Sequence, residues 1–425
     1  MNQCTIQLLT VNLLAMCWVM STMNWLSSND DPKDWKHERT PISGIFLSAK
    51  GKLHLYTLDL DGHLAKWEVP SFRLVKKRKL LEPEEGTAYG FMAGALTKEG
   101  DLGSVISVVS LTGADVTERL CLVDLEAEQP LIGYLERAAW FAILDNNTYL
   151  VCATRLPAEK VEFCLYQRRN NKLVLRHRWQ YDHPIRWIQY CDISGHHLRI
   201  LYEGVDMQEL PILREVAEPF RRIERLGASA PLHVSIFDIN SGKLLQSSAL
   251  GIRVTAETRA LADSSPTSVG LRRKQQEIVL ASWKRNTIVL SLADFKLKQI
   301  LDYTLALAKE KKESKENDRS SYDGVRCVFD REGRYFAYTT STEVVVRNWA
   351  TGEVLIYDFS HKALAEKLAR RVKDPLGAVF YFAFISLKDM AFIDEHKLAV
   401  LAGSGHVYMY DLQQRKCLET ILLAR

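Results

Sequence analysis

Charge of one sign is what this chain has least of: 56 Lys and Arg stand against 52 Asp and Glu, leaving a formal net charge of +4 over 425 residues. So small an excess gives no field strong enough to steer nucleic acid or an anionic membrane. Paired cysteines are missing as well. Cys4, Cys17, Cys121, Cys152, Cys164, Cys191, Cys327 and Cys417 form no CxxC pair and no Cys/His spacing suited to zinc, and several lie inside apolar strand text. Buried thiols of that kind behave as small hydrophobes, which predicts a reduced, cytoplasmic chain without a disulfide framework. Proline is sparse at 12 residues, while apolar residues make up 47% and charged residues 25%. That composition excludes a disordered or fibrous protein and supplies a sizeable core.

Long apolar runs are absent with one exception. Residues 5 to 26 (TIQLLTVNLLAMCWVMSTMNWL) carry no charge and are long enough to span a bilayer. Gln7, Asn12, Ser21, Thr22 and Asn24 dilute the run, no Lys or Arg precedes it, and no small-x-small cleavage site follows. Three readings stay open: a membrane anchor, a stretch packed on the folded domain, or an effect of start-site choice given Met16, Met20 and Met23. Residues 1 to 42 are accordingly read as an apolar N-terminal segment and linker, and residues 43 to 425 as one large domain.

What the chain does have is a phrase repeated seven times: an apolar strand, a tight polar turn, and a second strand that often opens on Lys or Arg. The copies start near His63, Leu120, Glu162, His233, Thr287, Val344 and His406, and the last turn-side residues of their first strands are Glu68, Asp124, Gln167, Asp238, Ser291, Asn348 and Asp411. Self-similarity at a fixed period outranks any local signal. Most spacings exceed the roughly 40 to 45 residues that a compact four-stranded repeat needs, so loops must hold insertions. The clearest unit runs from Gly324 to Phe359. There Val325, Cys327 and Phe329 alternate, Arg331-Glu332-Gly333 turns, Tyr335 to Thr340 and Glu343 to Trp349 form two more strands, and Gly352 supplies the positive φ of the last hairpin.

Similar quartets fall at 43 to 80, 86 to 136, 138 to 179, 186 to 250, 259 to 305 and 388 to 423. A four-stranded antiparallel sheet cannot shield both faces alone, whereas a ring of such sheets covers every face and leaves only short edges. Seven complete quartets leave no spare strand to lock the ring, so residues 5 to 26 are the segment available for that task. Residues 306 to 322 and 205 to 231 read as surface loops with little helix. Residues 361 to 374 carry Leu364, Leu368 and Val372 at four-residue spacing, which suits a short amphipathic helix.

Over about residues 43 to 423 the chain resembles a divergent WD-repeat β-propeller. Gly324 to Gly352 and Asp389 to Asp411 are similar to that family's pattern, although no Trp-Asp dipeptide occurs and the nearest equivalents are Lys66-Trp67, Phe237-Asp238, Asn348-Trp349 and Tyr410-Asp411. Gly62-His63, Gly195-His196 and Gly405-His406 lie at internal hairpins, away from the family's usual Gly-His site. The family's buried Asp-His-Ser/Thr-Trp hydrogen-bond network is therefore not carried over. The resemblance implies an all-β fold, a seven-bladed propeller of four-stranded antiparallel sheets with short helices only in insertions. It also implies a non-catalytic protein-protein interaction scaffold that binds a protein or peptide partner through loops on one face. The alternative is a membrane-tethered propeller, anchored by residues 5 to 26, that binds a ligand or acts as an enzyme outside the cytoplasm.

No residue is assigned a catalytic, cofactor or metal role. Gly403-Ser404-Gly405 lacks the spacing of a nucleophile elbow, and there is no P-loop or dinucleotide fingerprint. His196 and His197 are adjacent on a strand and point to opposite faces, so they cannot share a metal. Asp59 and Asp61 resemble a calcium loop, but the Glu twelve residues on is missing and Asp61-Gly62 is hairpin chemistry. Lys76, Lys77, Arg78 and Lys79 fall on an outermost strand, where lysines guard an open edge; Arg221-Arg222, Arg272-Arg273-Lys274 and Arg370-Arg371 are the other basic runs, and none marks a specific nucleic-acid site. Trp67, Trp140, Trp179, Trp187, Trp283 and Trp349 are read as packing between blades.

Overall fold

The computed structural model describes residues 42–49, 52–59, 62–79, 87–92, 104–110, 117–123, 131–136, 138–144, 149–155, 161–169, 172–181, 185–204, 231–253, 268–281, 286–302, 326–339, 343–361 and 386–423. These residues form seven four-stranded antiparallel sheets, each a meander whose strands pair in chain order. The first sheet holds β1 (Ile42–Ala49), β2 (Lys52–Asp59), β3 (His63–Glu68) and β4 (Arg73–Lys79). The second holds β5 (Thr87–Met92), β6 (Ser104–Ser110), β7 (Thr117–Val123) and β8 (Leu131–Glu136). In the third are β9 (Ala138–Leu144), β10 (Tyr149–Arg155), β11 (Val161–Arg169) and β12 (Lys172–Tyr181). The fourth comprises β13 (Ile185–Ser194), β14 (His197–Gly204), β15 (Pro231–Asp238) and β16 (Leu244–Arg253). The fifth comprises β17 (Ser268–Arg272), β18 (Glu277–Ala281), β19 (Asn286–Ser291) and β20 (Leu297–Asp302). The sixth runs through β21 (Arg326–Phe329), β22 (Tyr335–Thr339), β23 (Val344–Asn348) and β24 (Val354–Asp358). The seventh runs through β25 (Leu387–Phe392), β26 (Lys397–Ala402), β27 (His406–Asp411) and β28 (Lys416–Leu422).

Six of the expected quartets lie within a few residues of an observed sheet, the fifth sheet begins at Ser268 where the sequence suggested 259, and the repeated phrase corresponds to the third and fourth strands. Its physical basis is the hairpin between them. Asp238, Asn348 and Asp411 turn their side-chain oxygens onto backbone N–H groups two or three residues ahead, as in Asn348 Oδ1 accepting from Ala350 N at 3.0 Å and Thr351 N at 3.2 Å. The residue four positions on then takes a left-handed conformation: Phe72, Gly242, Phe295, Gly352 and Arg415 have φ between 51° and 71°. Gly352 is the position at which the sequence required it. A register shift one residue before the turn accompanies each of these hairpins.

Adjacent sheets stack through their apolar faces to make a β-propeller. Its buried clusters bridge sheets: one joins the fifth, sixth and seventh around Val345 and Met390, and another joins the third and fourth around Phe163 and Phe237. The first strands neighbour one another around the ring, as β1 with β5 and β25, β9 with β13, and β21 with β17 and β25. The fourth strands lie outermost and exposed; β4 and β28 are almost wholly open to solvent. Lys76 to Lys79 therefore do occupy an open edge strand. Trp67, Trp179 and Trp349 pack between sheets as expected, with Trp67 Nε1 donating to Thr57 Oγ1 at 2.9 Å. The side chains of Trp140, Trp187 and Trp283 lie outside the described residues.

The ring closes directly between its first and seventh sheets. Ile42 N donates to Gly403 O at 2.8 Å, and Phe46 N donates to the buried Asp389 carboxylate at 2.6 Å. Gly44 is the point of closest approach: a Cβ there would stand 2.2 Å from Leu401 Cδ2, with Leu401 fully buried in the seam. Gly44→Ala is expected to lower stability by about 1–3 kcal/mol, because the fully buried Leu401 side chain must shift to admit the methyl group. Thermal unfolding reads this; an unchanged transition would show that the seam yields. Residues 5 to 26, 205 to 230, 306 to 322 and 362 to 374 lie outside the described residues, while Ser360 and His361 are helical.

Candidate functional site

Because every sheet is a meander twisted in the same sense, the seven first strands run in the same direction around the central channel. Their N-terminal ends gather at one mouth and their C-terminal ends at the other. The two mouths differ in how their charges are satisfied.

At the C-terminal mouth, charges are neutralised by side chains that staple one blade to the next. On β13, the buried Asp192 accepts from Arg199 Nε at 2.7 Å and Nη2 at 2.5 Å, and from the Tyr190 hydroxyl at 3.1 Å. Arg199 also reaches Leu292 O and Ala293 O in the fifth sheet and lies over the Phe295 ring at 4.6 Å. Burial opposes the charge on Arg199, but the Asp192 hydrogen bond and charge raise its pKa. Burial and the same carboxylate raise the pKa of Tyr190. At the end of β17, Arg272 pairs with Glu277, donates to Gly333 O of the sixth sheet at 3.2 Å and lies over Trp349 at 4.7 Å. Lys274 pairs with Glu332 across the same seam. Next round the ring, Arg334 bridges Asp330 and Glu395 of the seventh sheet. The Arg272-Arg273-Lys274 run thus works partly between blades, through Arg272 and Lys274.

The N-terminal mouth is different. Lys388, second residue of β25, is the extra residue of a β-bulge, since Leu387 faces Ala402 and Asp389 faces Leu401 with Lys388 unmatched. A bulge turns a side chain away from the alternation that would bury it between sheets. Its Nζ donates to Ser386 Oγ at 2.7 Å, and among the described residues it has no carboxylate partner. Burial alone lowers its pKa to about 8. Asp389, the next residue, turns the other way into the ring seam.

Outward from Lys388, Ser404 Oγ and His406 Nδ1 share a hydrogen bond of 2.8 Å. At the perimeter between the sixth and seventh sheets, Asp358 accepts from Tyr410 OH at 2.5 Å and Ser360 N at 2.8 Å, and the buried His361 ring stands edge-on to Tyr408 at 4.6 Å. Burial lowers the His361 pKa against the opposing charge of Asp358. Ser404 has a histidine neighbour, but it sits at the strand-to-strand turn between β26 and β27, not at the head of a helix. His196 and His197 are both exposed at the β13–β14 hairpin. Asp59 accepts from His63 N at 2.8 Å and Gly62 N bonds Asp59 O, which is hairpin chemistry. Cys164, Cys191, Cys327 and Cys417 are free thiols. Among the described residues no group of three or more His, Cys, Asp or Glu is placed to hold a metal ion, and no helix is long and apolar enough to cross a membrane. Sequence reasoning missed Lys388: a lone lysine in strand text carries no signal until strand pairing exposes the bulge.

No family model matches the sequence, and no curated protein matches it. Solved structures similar to it are WD40 β-propeller proteins. Sqt1 of Saccharomyces cerevisiae is 10% identical over 91% of this chain and 86% of that one, with a TM-score of 0.49. Hsv2 of Kluyveromyces lactis is 10% identical over 91% of this chain and 100% of its own, with a TM-score of 0.47. The Cps50 (Swd1) β-propeller domain of Myceliophteria thermophila is 12% identical over 88% and 98%, also at 0.47. The propeller architecture rests on the seven stacked sheets themselves.

Proposed function

We propose that the chain is a non-catalytic protein-interaction scaffold: a rigid ring over residues 43 to 425 that binds a protein or peptide partner at the N-terminal mouth of its channel. The observation that carries this reading is the division of labour between the two faces. Among the described residues, the C-terminal side carries short hairpins and the ion pairs of Asp192, Arg272, Lys274 and Arg334. The four longest interruptions, 205–230, 254–267, 303–325 and 362–385, all join strand ends on the N-terminal side. Loops carried on a rigid scaffold are where recognition concentrates. Neighbouring blades place several such loops around one opening, so a partner can be gripped by a few anchors at little ordering cost to the ring.

The test is affinity capture from cells with the intact protein and with a variant reversing the loop charges Arg221, Arg222, Arg370 and Arg371 to Glu. Loss of the captured partners, with the β-sheet circular dichroism preserved, is the expected result. Capture that is unchanged by the four reversals would place the binding surface elsewhere.

A further inference from the structure

The scaffold reading leaves open what chemistry the mouth recognises, and the first strands answer it. The opening residue pairs of the seven first strands contain three cationic residues, Arg186, Arg326 and Lys388, and no Asp or Glu. At the opposite mouth Asp192, Arg272 and Asp330 lie near the strand ends, each with an opposite charge in an ion pair. Register sharpens the contrast. On three first strands the second residue is the unmatched one of a bulge: Ala139 on β9, Arg186 on β13 and Lys388 on β25. Bulges recur at the rims of closed sheets and beside functional sites, where they re-aim a side chain. Two of the three here hold a cation.

Resting on the scaffold reading, we infer that the N-terminal mouth is a carboxylate-binding site for an acidic, extended segment of a partner protein, with the Lys388 ammonium as its anchor and Ser386 as the hydroxyl that positions it. A part-buried cation with a hydroxyl for its partner, and no carboxylate partner among the described residues, is completed by an anion brought in from outside. By strand position Arg326 opens the adjacent sixth sheet and Arg186 the fourth, at other points of the same rim. An acidic peptide fits better than nucleic acid. A duplex needs a broad basic stripe that releases many counterions, and a net charge of +4 with three rim cations provides none.

The experiment is fluorescence anisotropy of the full chain with a labelled extended peptide rich in Glu and Asp. A Gln/Asn counterpart, inorganic phosphate and single-stranded DNA are the competing probes. Saturable binding of the acidic peptide, absent for its neutral counterpart and weakened by salt, is expected. Lys388→Gln is expected to weaken it about tenfold or more and Lys388→Arg to restore most of it, a rescue that a merely structural role would not show. Circular dichroism and unfolding midpoints confirm that each variant folds. Equal binding by wild type and Lys388→Gln, or a preference for phosphate or DNA over the peptide, would overturn the inference. If the acidic peptide fails to bind while the loop reversals still abolish partner capture, the scaffold reading stands and the carboxylate assignment falls.

Discussion

Asp192→Ala is expected to lower the stability of the ring by about 3–5 kcal/mol, read as a fall in the urea midpoint. The cost does not come from one lost hydrogen bond. Asp192 is 1% exposed and holds Arg199 through two of its nitrogens, while Arg199 carries the bond onward to Leu292 O and Ala293 O of the next sheet. Removing the carboxylate leaves a guanidinium in a buried position with backbone carbonyls but no counter-charge, and an uncompensated buried charge is more expensive than the pair was worth. The same argument predicts a partial rescue. Asp192→Ala combined with Arg199→Met removes both charges, leaves an apolar side chain above Phe295, and is expected to recover much of the loss. A single variant within about 1 kcal/mol of wild type, or a double variant no better than the single, would show that solvent reaches the site and screens it.

The second large effect lies beneath that guanidinium. Phe295 is buried, has φ of 57°, and packs with the Tyr190 ring at 5.9 Å. Truncating it to Ala removes a fully buried aromatic and is expected to destabilise by about 3–5 kcal/mol. The informative comparison is Phe295→Gly. Glycine usually costs more than alanine, through the freedom it gains in the unfolded chain. Here the backbone is left-handed, a conformation that costs any residue with a Cβ about 1–2 kcal/mol. Phe295→Gly is therefore expected to be more stable than Phe295→Ala, by roughly 1 kcal/mol, although both lose the ring. Denaturant midpoints of the two variants decide it. An alanine variant more stable than the glycine variant would mean that the turn relaxes once the aromatic is gone. Gly242 and Gly352 occupy the equivalent place in the fourth and sixth sheets; the fifth sheet instead holds Phe295 in that strained position, and its ring anchors Arg199.

The two predictions depend on different kinds of information. The hairpin that contains Phe295 is written locally. Ser291 opens the turn, Phe295 N closes it on Ser291 O at 2.9 Å, and the same bond recurs from Phe72 N to Glu68 O, Gly242 N to Asp238 O and Gly352 N to Asn348 O. A bond across four positions repeats wherever its residues repeat, so the sequence shows it. The staple between Asp192 and Leu292 joins residues of different sheets and leaves no periodic trace. Arg272 illustrates the limit: in the sequence it belongs to a run of three basic residues, and in the fold it lies over Trp349 of the next blade.

By itself the amino-acid sequence determined seven strand quartets, the turn chemistry of their last hairpins, the outermost place of Lys76 to Lys79, and the need for the sheets to cover one another. All of these follow from patterning and turn geometry over short stretches of chain. Only the tertiary structure decided how the ring is shut, where Lys388 stands with no carboxylate partner among the described residues, and which residues brace the seams. Phe46 and Asp389 are 343 positions apart, and Gly44 must be bare because Leu401 arrives from the far end of the chain. The bulge that unmatches Lys388 likewise exists only once β25 has paired with β26. Contacts of that kind are set by the closure of the whole ring, where packing leaves no freedom, and no local run of residues encodes them.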